Sequence, residues 1–222
     1  MKPRRTRGVV AAPLAVIALM VMAAPTGAAE ASPSAFVAKI NGEVAGTPTT
    51  NVGPLAYADK SKPEASVDKI SVPNVLTAGQ SSSKVEVDQA TGAQTVTSTL
   101  AEVRAGLRRP AATGLRVSTL TTTCTATPGG SPAGKVEIQS AQLGAVKLPE
   151  APAPNTKLDI PGAVPGGPAL GTLVLNEQIP NSDGSLTVRA AHLSIAQGPL
   201  GTTEAVLGSA TCGDTSQPAR RA

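Results

Sequence analysis

The sequence has no tryptophan, one tyrosine, one phenylalanine and one histidine among its 222 residues. Sugar-binding modules lean on aromatic faces that stack against apolar ring surfaces. Single-strand nucleic-acid modules lean on aromatic platforms for the bases. Tyr57 and Phe36 give little with which to build either. A Ser-His-Asp or Cys-His site would have to use His192. That residue sits in AAHLSI, alternating strand text beside Arg189, with no nucleophile-elbow pattern around it. A structural place on a strand face is therefore expected.

Metal sites gather His, Cys, Asp and Glu at tight spacing. The nearest approach, Asn181-Ser182-Asp183-Gly184, has no closing glutamate and reads as a hairpin turn. Glu86 and Asp88 share one strand face and read as a solvated edge, not as the carboxylate pair of a hydrolase. No Walker or dinucleotide glycine pattern occurs, and Gly162, Gly166 and Gly167 belong to proline-rich text. These absences predict a protein that is not an enzyme, with no catalytic residue, metal or cofactor.

Sustained helical periodicity is also lacking, except in the leader. Lys2, Arg4, Arg5 and Arg7 precede a run without charge from Gly8 to Ala24. Small residues and an A-x-A pattern, Ala29-Glu30-Ala31, follow before Ser32. This is the layout of a secretory signal peptide, with cleavage between Ala31 and Ser32. The run is about 17 residues, short for a stable membrane helix, so no membrane span is expected in the mature chain. Cleavage takes four of the 19 basic residues and one of the 15 acidic ones, leaving 15 against 14. A nearly neutral mature domain has no basic field for nucleic acid or an anionic membrane.

Cysteine occurs twice, at Cys124 and Cys212. In an exported chain an even pair reads as one disulfide. It would span 88 residues, and chain entropy gives such a loop roughly 4–5 kcal/mol, against about 2–4 in typical measurements.

What the chain does have is Val, Leu, Ile, Ala, Thr, Ser, Gly and Pro, the composition of short strands and many turns. AFVAKI, residues 35–40, reads as a strand, with a two-residue hairpin at Asn41-Gly42 and a return through GEVAG. Residues 47–66 read as loop. Residues 67–76 suggest a strand interrupted at Pro73. KVEVDQ, residues 84–89, places Val85 and Val87 inward; a turn at Ala90-Thr91-Gly92 leads to a long strand over 93–105. Residues 114–127 and 134–147 read as strands around a turn at Pro128-Gly129-Gly130. The proline-rich text from Pro149 to Pro168 reads as an extended connection over one end of the domain. Residues 170–179 read as a strand buried on both faces. SLTVRAAHLSIA and TEAVLGSATC complete the domain.

Three segments share a form: VTSTLAEV at 96–103, VEIQSAQL at 136–143 and LTVRAAHL at 186–193. In the last two, alternation opens with Val136/Ile138 and Leu186/Val188, then changes phase to Ala141/Leu143 and Ala191/Leu193. Such a flip predicts a bent strand. The expected architecture is all-β: a signal peptide over 1–31, a single β-sandwich or related two-layer domain over 32–213, and a disordered tail over 214–222. The similar segments make a β-solenoid the alternative.

SAFVAKINGEV, TCTAT, VEIQSAQL, GTLVLNEQ, LTVRAAHLSI and the closing GSATCG resemble the choice-of-anchor P family of bacterial, largely actinobacterial, exported proteins. The likeness runs from Ser34 to Cys212, and GTLVLNEQ followed by LTVRAAHL is its most specific part. It implies a surface or secreted β-domain whose relatives end in differing wall or membrane anchors. This chain ends in GDTSQPARRA, without a sorting motif or apolar helix, so covalent wall attachment is not expected. The function expected is that of a structural or interaction domain, secreted or held at the cell envelope, with an envelope or extracellular protein as partner. The alternative is a secreted binding module for a small apolar or peptide ligand beneath the proline-rich connection.

Overall fold

The computed structural model describes residues 33–42, 50–73, 75–106, 114–160, 162, 167–196 and 202–213. The leader, the Ala31–Ser32 cleavage point and the 214–222 tail lie outside the described residues. The described chain is all-β. Sheet A contains β1 (Ser34–Gly42), β2 (Thr50–Leu55), β3 (Ala58–Asp59), β13 (Thr156–Ile160), β14 (Gly171–Pro180), β15 (Leu186–Ala196) and β16 (Thr202–Cys212). Sheet B contains β4 (Glu64–Val67), β5 (Ile70–Val72), β6 (Leu76–Ala78), β7 (Ser81–Val87), β8 (Gln94–Ala105), β9 (Leu115–Ala126), β10 (Ala133–Gln139), β11 (Gln142–Leu143) and β12 (Val146–Lys147).

The order in sheet A is β13-β14-β15-β16-β1-β2, with β3 also on β1; in sheet B it is β12-β11-β9-β8-β6-β5, with β10 on β9, β7 on β8 and β4 on β7. Every pairing is antiparallel. The two sheets pack as a sandwich, not as a solenoid. The first and last strands of the domain, β1 and β16, are neighbours, so sheet A is completed only when both ends of the chain have arrived.

Both sheets bend along a row of residues. In sheet A the partners Phe36↔Ser209 and Ala38↔Leu207 keep one register on either side of the row, as do Arg189↔Ser209 with Ala191↔Leu207 and Glu177↔Arg189 with Leu175↔Ala191. No residue is inserted in these three pairings, whereas β1 and β2 shift register between Ala38 and Ile40. Yet the consecutive pairs Val37/Ala38, Leu175/Asn176, Ala190/Ala191 and Leu207/Gly208 are all buried. Asn176 (φ 49) and Gly208 (φ 63) are left-handed, and one such residue places two successive side chains on the same face. Sheet B does the same at Glu102 (φ 51) and Ser140 (φ 50). There the buried series passes from Leu100 to Val103 and from Ile138 to Ala141. The three similar segments are thus all bent, two within single strands (β8 and β15) and VEIQSAQL across β10 and β11, and the phase change in VEIQSAQL and LTVRAAHL is borne out.

Across the bend the sheets touch directly. Ser98 Oγ donates to the Phe36 carbonyl at 2.9 Å, and Thr122 Oγ1 donates to the Gly208 carbonyl at 3.2 Å. Ser98 and Thr122 are opposite one another on β8 and β9, and both are fully buried. A methyl on Gly208 would lie 2.7 Å from Thr122 Oγ1 and 3.2 Å from Ala190 Cβ. Further along the same strands, Cys124 and Cys212 join the sheets by a disulfide, with Cα atoms 5.6 Å apart and both residues buried. The pairing expected from the even count is present. Around these contacts the core is aliphatic: Val96, Leu100, Leu115, Leu120, Ile138, Leu173, Leu175 and Leu207 are among its largest buried members.

Several local expectations hold. Asn181 donates from its backbone N–H to the Ser185 carbonyl, Gly184 N–H returns to Asn181, and Asp183 Oδ1 accepts from Ser185 N–H at 2.9 Å, a tight hairpin turn. Asp88 Oδ1 accepts from the N–H groups of Ala90 and Thr91 and fixes the turn before β8. Pro73 falls in the turn of the β5–β6 hairpin, where Val75 N–H reaches the Val72 carbonyl.

Other expectations are corrected. Asn41-Gly42 is not a two-residue hairpin: both residues belong to β1, opposite Asn51 and Thr50. Gly42 is needed because β16 presses on it; a Cβ there would meet the Thr202 carbonyl oxygen. Residues 47–66 are not one loop, for they contain β2, β3 and the start of β4. Residues 134–147 do not run as one strand: the chain bends at Ser140 and doubles back through the β11–β12 hairpin. The proline-rich connection contains an edge strand, β13, between Asn155 and residue 161. The strand itself, TKLDI, contains no proline; the prolines of the connection lie outside it. Val174 in β14 is half-buried on the outer face, so that strand is fully buried on one face only.

Two substitutions separate the bend from an ordinary turn. Gly208→Ala should cost about 2–4 kcal/mol, from a left-handed non-glycine residue and an overpacked seam. Gly129→Ala, also left-handed (φ 74) but with nothing within 4 Å of the added methyl, should cost about 1 kcal/mol. Equilibrium urea unfolding of the two proteins measures the difference. For the bridge, replacing both cysteines by alanine should cost about 2–4 kcal/mol, and titration of the denatured, unreduced wild type should find no free thiol.

Candidate functional site

The hairpin β14–β15 is fixed by the turn at Asn181–Ser185. Its register places Glu177 opposite Arg189 and Val174 opposite His192. Because the strands bend between these rows, His192 and Arg189 become successive outward side chains, and Glu177 reaches both. Arg189 Nη1 donates to Glu177 Oε2 at 3.1 Å. His192 Nδ1 lies 3.2 Å from Glu177 Oε1 and 3.0 Å from Oε2. All three side chains are largely buried, with 19–28% of their surface exposed.

Burial pushes the Glu177 carboxyl up. The hydrogen bond and charge of His192, with the charge and hydrogen bond of Arg189, outweigh it and hold the carboxyl below the ordinary glutamate range. Arg189 Nε and Ser209 Oγ, at paired positions on β15 and β16, are buried without a hydrogen-bond partner. The geometry gives an imidazole oriented by a carboxylate. A nucleophilic mechanism also needs a hydroxyl or thiol within hydrogen-bond reach of the ring. Among the described residues His192 bonds only to Glu177, and both cysteines are in the disulfide. This arrangement is suited to clasping two strands.

Sequence reasoning placed His192 on a strand face and missed Glu177. The signal was available: counting back from the Asn181–Gly184 turn pairs residue 177 with 189. The other charged residues singled out are held locally. Glu86 pairs with Lys84 at 2.9 Å, a bond that with Glu64 raises the Lys84 ammonium above its usual range. Asp88 caps its turn, and the Thr91 and Ala90 N–H groups lower its carboxyl. Ser61, by side chain and N–H, and the Lys62 N–H do the same for Asp59. Among the described residues no group of three or more His, Cys, Asp and Glu could hold a metal, and no helix is long and apolar enough to cross a membrane.

Two hollows open at the end of the sandwich remote from the disulfide. One, of about 230 Å³, is shallow and is lined by Val72, Leu76, Leu115, Arg104 and Arg116, among others. The other is an apolar slot between the sheets, bordered by Leu143, Ile160, Leu170, Leu193 and Ile195, with only about 10 Å³ of free space.

Fold and site together define an antiparallel β-sandwich with a disulfide between its sheets and a Glu-His-Arg clasp on its outer face. No protein-family model, curated protein or solved structure matches the chain.

Glu177→Gln should cost about 1–2 kcal/mol near pH 7, because the largely buried Arg189 loses its counter-charge and the bond to His192 is weakened. The folded carboxyl is depressed, so its contribution is fully present above the ordinary glutamate value of about 4.3. That contribution is lost as pH falls through the lower folded value. Urea unfolding of wild type and variant should therefore diverge at pH 6 to 7 and converge as the pH falls below about 4. His192→Gln should retain the fold, with a stability change within about 1–2 kcal/mol.

Proposed function

We propose that this chain is an exported structural or interaction domain, secreted or held at the cell envelope, that presents a rigid β-sandwich to a protein partner and performs no catalysis. The leader and the resemblance to the choice-of-anchor P family support that reading. The observation that carries it is the use made of the chain's chemical groups. The two cysteines tie the sheets together, the histidine and its carboxylate clasp two strands, and Asp59 and Asp88 fasten turns. Each serves rigidity.

The partner surface is the sheet faces and edges. On the outer face of sheet B, Thr95, Thr97 and Thr99 stand opposite Thr125, Thr123 and Thr121, flanked by the charged pairs Lys84–Glu86 and Lys135–Glu137. At the other sheet's edge, β13 pairs only with β14, and an open edge offers main-chain groups to a partner's strand. The small-ligand alternative draws less support, because the slot near Ile160 and Leu170 has room for about one water.

Fractionation of cells expressing the tagged chain tests this directly. The expected product starts near Ser32, is oxidised at Cys124 and Cys212, and is recovered from envelope or medium with a protein partner after cross-linking. His192→Gln and Glu177→Gln should be recovered with the same partner. Cytoplasmic protein retaining Met1, or an activity lost in His192→Gln that is still folded and exported, would contradict it.

A further inference from the structure

The larger hollow holds an unusual pairing. Arg104 and Arg116 are directly opposite on β8 and β9. Such positions bring Cβ atoms to about 4.5–5.5 Å, and like charges there are destabilising. Nothing in the row offsets them: Thr77 is opposite Arg104 on one side, Gln142 is opposite Arg116 on the other, and Lys147 follows Gln142. Glu102, two residues along β8, forms no ion pair with either. Lys84, Lys135, Arg189 and His192 make ion pairs elsewhere. Both arginines are exposed, and both line the hollow of about 230 Å³. A nearly neutral domain thus places two guanidinium groups without an ion-pair partner at one concavity of about 230 Å³.

We infer that Arg104 and Arg116 form a binding site for a phosphate group. Each guanidinium is a planar fork that matches two oxygens of an oxyanion. A phosphate dianion neutralises both arginines at once, whereas a carboxylate would leave one positive charge unpaired. The hollow is smaller than the roughly 300–1,000 Å³ of drug-sized sites, so it admits the phosphate and the few atoms next to it. The apolar floor of Val72, Leu76 and Leu115 lowers the local dielectric and strengthens the charge contact. The phosphate is free in solution or the terminal monoester group of a larger molecule, both dianions near pH 7.5. Phosphate capture goes beyond the scaffold role proposed above and does not depend on it.

The test uses the oxidised mature protein at pH 7.5, where phosphate is mainly dianionic, with ionic strength held constant by sodium chloride. Inorganic phosphate should move the backbone amide resonances of Thr77, Ala105, Gly106, Gly114 and Leu115 in a saturable way. Arg104→Gln and Arg116→Gln should each weaken binding at least about tenfold, and the double variant should abolish it, while Lys135→Gln binds as wild type does. Without phosphate and at low salt, each single arginine variant should melt higher than wild type, because the like-charge contact is relieved. A phosphomonoester arm, glycerol 3-phosphate, separates the sources. Tighter binding than inorganic phosphate assigns the site to a phosphomonoester, and equal or weaker binding assigns it to the free ion. Absence of saturable shifts, the same shifts with acetate, or unchanged binding in the double variant would overturn the site.

Discussion

The constraint on which the rest depends is the row where the two bent sheets meet. Gly208 has no side chain there, and Thr122 occupies the space a methyl would fill. The hydroxyls of Thr122 and Ser98 reach sheet A's backbone carbonyls from the opposite sheet. Between these bonds and the few other cross-links, the sheets are held by non-directional apolar burial, which tolerates sliding. A buried hydrogen bond fixes position, because a misplaced partner leaves a desolvated carbonyl and hydroxyl unpaired. The left-handed residues Glu102, Ser140, Asn176 and Gly208 supply the bends that bring the sheets this close. They also let each strand bury both of its faces in turn, one before the bend and one after.

This arrangement suits a chain almost without aromatic residues. Large rings fill wide gaps between sheets; a core of Val, Leu, Ile and Ala needs sheets that approach closely and curve around one another. The disulfide holds one end of the seam and the Glu177 clasp secures the outer face of sheet A. The opposite end, where β8 and β9 leave the sheet, is where the structure opens. The two arginines stand at that opening, away from the cross-links.

Much of this was legible in the sequence, for identifiable reasons. Strands carrying buried residues on one face announced themselves through alternation, and the change of phase after Ile138 and Val188 correctly announced the bends. Turns whose backbone demands particular residues, such as Asn181–Gly184, were equally plain. The strands at the margins were not. The strands β2, β3 and β13 have few apolar residues and lie in text rich in Pro and Thr, because an edge strand buries little and donates to one side only. Gly42 looked like a turn residue but is required by a neighbour far along the chain. The opposition of Arg104 and Arg116 depends on register across a connection whose length alone does not fix it. By contrast, the Glu177–Arg189 pairing follows from a turn that the sequence does specify.

The central claim, that hydrogen bonds across the bent seam fix the two sheets, is tested most directly by Thr122→Val. This swap keeps the shape of the side chain and removes the hydroxyl. Equilibrium urea unfolding should show a loss of about 1–3 kcal/mol, since the Gly208 carbonyl is left buried with one partner fewer. The same swap at the outward-facing Thr121 should stay within about 0.5 kcal/mol. A Thr122→Val protein as stable as wild type, or more stable, would contradict the account.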